Sequence, residues 1–417
     1  MKMTCVDHLR CVVCGATYAP ETRLMCELCG ADGILDVVYD YDKARRSLEQ
    51  SPLAGRASQT LWRYRELLPV DASSARIPDL SVGCTPLTPA PRLARYLGLD
   101  SLLIKDDGRN PTGSLKDRAS ALAVALACAE GKDVIACSST GNAASSLAGM
   151  AASMGMRSVI FVPKDTPEPK LTQLLAFGAT VLRVQGSYYD AFQLCQSACA
   201  ISGWYNRNCA INPWLVEGKK TVALEICEQL DWKVPDWVAV SVGDGCTIAG
   251  IWKGFREFKL LGLIDRTPRM LGVQASGADA VLQAFRTGSL PPDRPENTVA
   301  DSIKVGVPRN WRKALQAIHE SGGTMISVDD SEILEAIGYT GSLSGIFAEP
   351  AASTSVAGLR KAVAEGYVDS DASVVTVITG NGLKDTRSAR LAVGQPHDVS
   401  PDGRELKDLL AGHGYRG

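Results

Sequence analysis

The apolar positions of this 417-residue chain change their period along its length. From Leu80 onward, short continuous runs rich in Val, Ile and Leu alternate with Ala- and Leu-rich stretches whose apolar residues recur at helical spacing. The continuous runs predict buried strands at 102–105, 134–137, 158–162, 180–184, 237–242, 269–274 and 374–379. Helices fit between them, at 115–129, 143–154, 169–177, 191–201 and 218–229. Strands alternating with helices imply an α/β fold with doubly wound parallel sheets. Two such sheets are expected, from 125–215 and 235–385, sharing one crevice at the carboxyl ends of their strands. With flanking chain included, the larger unit takes 41–124 and 216–417, the smaller takes 125–215, and residues 1–40 stand apart as a cysteine-bearing segment.

Four polar loops follow predicted strands, and each changes the picture from fold to chemistry. Asn110-Pro-Thr-Gly-Ser-Leu-Lys-Asp-Arg118 reads as a turn running into a helix with a Ser114 cap, which puts Lys116 in the first helical turn. An amine there, among apolar residues, feels positive dipole and desolvation, and both favour the neutral form that adds to an aldehyde. The bland alternative is a solvated lysine paired with Asp117. The second loop, Cys137-Ser138-Ser139-Thr140-Gly141-Asn142, carries more hydroxyls than one helix cap needs and suits a carboxylate. The third, Val242-Gly243-Asp244-Gly245-Cys246-Thr247, precedes a helix expected at 248–255, and its glycines let backbone amides close on a phosphate. Its spacing matches neither G-x-G-x-x-G nor G-x-x-x-x-G-K-[ST], and Asp244 suits a phosphate only if its side chain turns away. The fourth, Val377-Ile-Thr379-Gly-Asn-Gly-Leu-Lys-Asp385, offers the Thr379 hydroxyl to a ring nitrogen, or simply to its own backbone.

Composition narrows the classes further. A formal charge of −2 with 45% hydrophobic residues describes an ordinary globular chain, long enough for two or three domains. No basic cluster points to nucleic acid, and no apolar run is long enough to span a bilayer. Four histidines, only His319 lying away from the termini, leave little for histidine-based catalysis. Thirteen cysteines, an odd and scattered set with no secretory h-region after Met1, favour a reducing, cytoplasmic setting. Four of them form two C-x-x-C-G knuckles, Cys11/Cys14 and Cys26/Cys29, eleven residues apart. Each glycine permits the tight turn that lets two thiolates converge, so a structural zinc with all four positions filled by sulfur is expected. Free core thiols or disulfides are the competing readings.

Taken together, these motifs resemble pyridoxal-phosphate enzymes of the tryptophan-synthase β-like family (fold type II), and most closely the threonine synthases. The likeness rests on Gly83-Cys-Thr-Pro-Leu87, the lysine stretch, Ser139-Thr-Gly-Asn142, Asn212-Pro213 with Glu217-Gly-Lys-Lys-Thr221, Gly272-Val-Gln-Ala275, Gly345-Ile-Phe-Ala-Glu-Pro350 and Thr379-Gly-Asn-Gly-Leu-Lys-Asp385. The resemblance implies pyridoxal 5'-phosphate as cofactor, bonded through its aldehyde to Lys116, which later moves protons. It further implies Asn142 on the ring hydroxyl, Gly243, Asp244, Gly245, Cys246 and Thr247 around the phosphate, and Thr379 on the ring nitrogen. Ser138, Ser139 and Thr140 would cradle the carboxylate of a small amino-acid substrate, and a homodimer is expected by analogy.

The departures from the family pattern fall on substrate recognition. Leu115 stands where phenylalanine is usual, Ala143 where threonine is usual, and Thr247 where asparagine is common. The usual arginine before the Glu-Gly pair, suited to the phosphate of O-phosphohomoserine, is absent from Trp214-Leu215-Val216. The expected activity is therefore a threonine-synthase-like lyase that eliminates a leaving group and adds water. The alternatives are a threonine or serine dehydratase, to which 299–303 is similar, a β-replacement enzyme, and a zinc-ribbon interaction protein that has lost catalysis.

Overall fold

The computed structural model describes residues 5–21, 23–71, 75–166, 168–292, 295–406 and 409–410, so parts of the expected 1–40 and 216–417 segments lie outside it. Its larger sheet has six strands, in the order Thr324–Val328, Arg269–Ala275, Trp237–Ser241, Ser373–Ile378, Ser101–Asp106 and Leu87–Pro89. The first five run parallel, with Trp237 level with both Arg269 and Val374, and Ser373 level with Ser101. The short edge strand Leu87–Pro89 is antiparallel, an exception the hydrophobic pattern did not indicate. The smaller sheet is fully parallel, in the order Thr180–Val184, Arg157–Pro163, Val134–Ser138 and Tyr205–Asn206. Two parallel sheets of this kind confirm the α/β expectation.

Strands flanked by helices on both faces must be apolar throughout, and Val134–Ser138 and Trp237–Ser241 are buried at every position. That is why continuous runs, rather than alternation, marked them in the sequence. In the larger sheet the chain moves outward from Trp237–Ser241 to Arg269–Ala275 and Thr324–Val328, then turns back to insert Ser373–Ile378 between Trp237–Ser241 and the earlier strand Ser101–Asp106. The loops leaving these strands diverge there and open a crevice at their carboxyl ends.

An antiparallel ribbon of Val6–Cys11, Thr17–Tyr18 and Leu35–Tyr39 carries the four knuckle cysteines. Their sulfurs all lie within 4.8 Å of one another, and Cys14 and Cys26 are 3.7 Å apart. A tetrahedral zinc with bonds of about 2.3 Å needs sulfurs roughly 3.8 Å apart, so the set fits one ion. Gly15 and Gly30 have φ of +75° and +57°, as the knuckle turns require. The ribbon docks through buried lysines: Lys313 Nζ donates to the Leu35 carbonyl at 2.6 Å, Lys253 Nζ donates to that of Val37, and both approach Asp36 at 3.2 Å. Burial pushes the Asp36 carboxyl up, but Lys253, Lys313 and Arg256 hold it well below the usual carboxylate range. No helix among the described residues is long and apolar enough to cross a membrane.

Candidate active site

Three helices meet around the predicted lysine. Lys116–Ala129 carries it, Trp214–Gln229 crosses that helix, and Cys246–Leu260 follows the glycine turn. The first crossing is close: a Cβ on Gly218 would lie 2.2 Å from the Arg118 carbonyl oxygen, so only glycine fits. Arg118 locks it. Its guanidinium donates to Asp107 at 2.7 and 2.8 Å, to Glu225 at 2.8 Å and to Thr221 Oγ1 at 2.8 Å.

Lys116 opens its helix, but the expected Ser114 cap does not form. Leu115 takes the N-cap place without a side-chain bond, and the buried Ser114 Oγ has no partner among the described residues. The turn is held instead from the fourth loop, where Leu115 N donates to the Thr379 carbonyl and Asn381 N to the Gly113 carbonyl, both at 2.9 Å. This pairing brings Thr379 beside Lys116. Asp117 does not pair with Lys116 either; its carboxylate accepts from the backbone and hydroxyl of Thr112. Burial, then the positive charge of Lys219, lowers the Lys116 amine to about 8. That is the chemistry expected of an amine meant to attack an aldehyde.

The glycine turn is built for an anion. Gly245 has φ of +97°, and a Cβ there would lie 2.7 Å from the Asn310 carbonyl oxygen. No side chain caps the helix that follows, so its first N–H groups face the turn. Asp244 does turn away: its carboxylate accepts from Arg309 N at 2.8 Å, Asn310 Nδ2 at 2.7 Å and Cys246 Sγ at 3.0 Å. Only its backbone is left for a phosphate. The helix starts at Cys246, two residues earlier than expected, which puts Cys246 and Thr247 in its first turn.

Ser138 ends its strand with a buried, unpartnered Oγ, while its N–H donates to Asn208 Oδ1 at 2.9 Å. Ser139 Oγ accepts from Gly141 N at 3.2 Å. Asn142 is the first helical residue, and its amide donates to both oxygens of Glu349 at 2.8 and 2.9 Å and to Ser302 Oγ at 3.2 Å. A cleft of about 300 Å³ opens on this side, lined by Thr140, Asn142, Lys170, Asp301, Glu349 and Lys384. Lys116 and the glycine turn are not on its wall.

Glu349 and Lys384 are site residues that sequence reasoning did not single out. Burial raises the Glu349 carboxyl, against Asn142, Lys384 and Lys116, which lower it. Lys384 Nζ reaches the Thr112 carbonyl at 3.1 Å, Ser145 Oγ at 2.8 Å and Gln173 Oε1 at 2.7 Å. Both lie inside quoted motifs, yet Glu349-Pro350 reads as an ordinary helix start and Lys384 as a solvated charge. Only the third dimension buries them.

Residues 79–380 match the family model described as pyridoxal-phosphate dependent enzyme. The chain is 41% identical to the threonine synthase of Methanocaldococcus jannaschii over 406 residues, covering 96% of this chain and 98% of that one. It is 40% identical to that of Methanosarcina acetivorans over 409 residues, covering 97% and 99%. The chain belongs to the threonine synthase family of pyridoxal-phosphate-dependent enzymes. Solved structures share its fold at low identity. Diaminopropionate ammonia lyase from Escherichia coli superposes with a TM-score of 0.65 at 19% identity, over 82% of this chain and 93% of that one. Threonine deaminase isoform 2 from Solanum lycopersicum gives 0.63 at 22%, over 74% and 87%.

The residues present fit the family's cofactor. An unpaired, desolvated amine at Lys116, an uncapped helix N-terminus behind a turn that excludes side chains, and partnerless hydroxyls at Ser114 and Ser138 are what an aldehyde-bearing phosphate ester requires. Four thiols within reach of one ion likewise fit a structural zinc.

Proposed function

We propose that this threonine-synthase-family enzyme converts O-phosphohomoserine and water into threonine and inorganic phosphate. The observation that carries this reading is the Lys116 amine, lowered to about 8 and set beside the Thr379 loop, with a turn shaped for phosphate near enough that Cys246 acts on its charge. Pyridoxal phosphate, when bound, supplies the electron sink for α-proton loss and for elimination at the γ-carbon. Lys116 would hold it, with the backbone of 243–247 on its phosphate, Thr379 on its ring nitrogen and Asn142 on its ring hydroxyl. A threonine hydroxyl, unlike a carboxylate, does not fix the ring as a full cation, so the sink is moderated.

The chain's own groups do the rest. Lys116 Nζ, half neutral near pH 8, accepts and returns protons. Ser138, Ser139 and Thr140 orient the substrate carboxylate, Ser138 bringing a hydroxyl that has no partner among the described residues. We read 125–215 as the smaller domain, carrying this carboxylate loop, and 41–124 with 216–417 as the cofactor domain. A homodimer in a reducing cytoplasm accords with the family and with thirteen cysteines that form no disulfide.

The test is product identification. Pure protein loaded with pyridoxal phosphate should release threonine and phosphate from O-phosphohomoserine in equal amounts. If it makes 2-oxobutyrate from threonine and leaves O-phosphohomoserine untouched, the enzyme is a dehydratase and the proposal fails.

A further inference from the structure

The family's usual arginine, the group that would grip a substrate phosphate, is replaced here by Leu215, which is fully buried among apolar neighbours. The anion must then be held by something else. Four residues further on, on the same face of helix Trp214–Gln229, stands Lys219. It is 2% exposed, and among the described residues its Nζ has one partner, Cys209 Sγ at 3.0 Å. Its neighbour Lys220 faces the other way, into two carboxylates, Glu217 at 2.6 Å and Glu257 at 2.7 Å.

Lys219 does not stand alone. Arg207, 1% exposed, donates from Nε and Nη2 to Ser120 Oγ at 3.1 and 3.0 Å and meets no carboxylate among the described residues. Lys116 forms no ion pair with one either, its charge acting on the Glu349 carboxyl, and the charges of Lys219 and Arg207 both reach it. Three basic side chains thus gather around the half-buried Cys209, whose thiol is held well below its ordinary value and answers at most one of them, and among the described residues none of the three forms an ion pair with a carboxylate. Burying ammonium and guanidinium groups without counter-charge is costly unless a ligand supplies it. The cofactor phosphate already has the uncapped N-terminus of Cys246–Leu260. A second phosphate monoester, arriving on the substrate, would neutralise what is left.

Resting on the reading of O-phosphohomoserine as substrate, we infer that Lys219, backed by Arg207, holds the substrate's phosphate in place of the missing arginine. The role is one of specificity: it selects a dianionic leaving group and positions it, while proton transfer stays with Lys116.

The experiment uses the cofactor-loaded enzyme and its Lys219→Met and Lys219→Arg variants. Methionine keeps the volume and removes the charge, so the fold should be retained. Expected for Lys219→Met is a rise of about 10- to 100-fold in KM for O-phosphohomoserine, with kcat changed far less, as the loss of a charged hydrogen bond predicts. Lys219→Arg should recover most of it, and pyridoxal-phosphate affinity should be unchanged in both. Calorimetric binding of inorganic phosphate to the loaded enzyme should weaken by a similar factor in Lys219→Met. An unchanged KM and unchanged phosphate binding would overturn the inference. So would a weakened grip on pyridoxal phosphate with KM intact, which would assign Lys219 to the cofactor. If native enzyme binds inorganic phosphate through Lys219 but does not turn over O-phosphohomoserine, the phosphate subsite stands and only the substrate reading falls.

Discussion

Lys219 and Lys220 are adjacent on one helix and live in opposite electrostatic worlds. Lys220 is enclosed by Glu217 and Glu257, whereas Lys219 meets a thiol. The same contrast separates Arg118 from Lys116 on another helix: Arg118 is saturated by Asp107 and Glu225, while Lys116 forms no ion pair among the described residues. Paired cations pin helix to helix and ribbon to body. Unpaired ones collect around Lys116 and Cys209. The difference teaches that in this molecule a buried charge left without a counter-ion marks ligand space, because folding alone would not retain it.

The paired side of the contrast should break hardest. Glu225 takes charge from both Arg118 and Lys105, the latter at 2.7 Å, and Glu225→Ala strands Lys105 and leaves Arg118 with Asp107 alone. Urea unfolding should show a loss of about 3–5 kcal/mol. Burial works against the Glu225 carboxylate, but Arg118 and Lys105 lower its carboxyl to about 2 from an ordinary 4.5. A depressed carboxyl stabilises the fold above its unfolded value, so the benefit is complete above about pH 4.5 and is lost as pH falls through about 2. A Glu225→Ala protein as stable as the native one at pH 7 would show that the network is ornamental.

Removing an unpaired cation should do the reverse. In cofactor-free protein, Lys116→Met ends catalysis yet should raise stability at pH 7 by about 1–2 kcal/mol, a figure reduced because the side chain is only half-buried. The sign follows from the amine being lowered to about 8 from 10.5. Below pH 8 the folded state carries the full cost of a protonated, desolvated amine. Between about 8 and 10.5 that cost shrinks, and above it vanishes, so the methionine advantage should fade over the same window. Destabilisation at pH 7 would mean that Lys116 has a counter-charge after all.

The two classes were not equally legible in the sequence. The strand Trp237–Ser241 and the loops beyond it were readable because full burial on both faces demands an unbroken apolar run. Lys116 was readable because a Gly turn running into a helix fixes where its first turn lies. The start of helix Trp214–Gln229 was not: Gly218 reads as a boundary, though it sits four residues inside, where Arg118 approaches too closely for a side chain. Nor could Ser114, which reads as a cap, be known to stay buried with no partner among the described residues. The partners of Glu349 and Lys384 come from segments far away in sequence, so their roles exist only in the folded molecule.

The smallest expected effect tests how the unpaired cations sense one another. A hydrogen bond from Cys246, then the charge of Lys219, lowers the Cys209 thiol well below its ordinary value, and the resulting negative charge raises Lys116 slightly against burial. Cys209→Ser removes that charge and leaves Lys219 and Arg207 unopposed. Lys116 should then titrate lower than in the native protein. The measurement is the rate at which cofactor-free protein captures pyridoxal phosphate, followed by absorbance across pH 6 to 10. Native protein should show a midpoint near 8, rising to a plateau at higher pH, because only the neutral amine attacks the aldehyde. The serine variant should reach the same plateau from a lower midpoint. An unchanged midpoint would mean that Cys209 is a neutral thiol, and that Lys219 and Arg207 meet no negative charge from it until a ligand arrives.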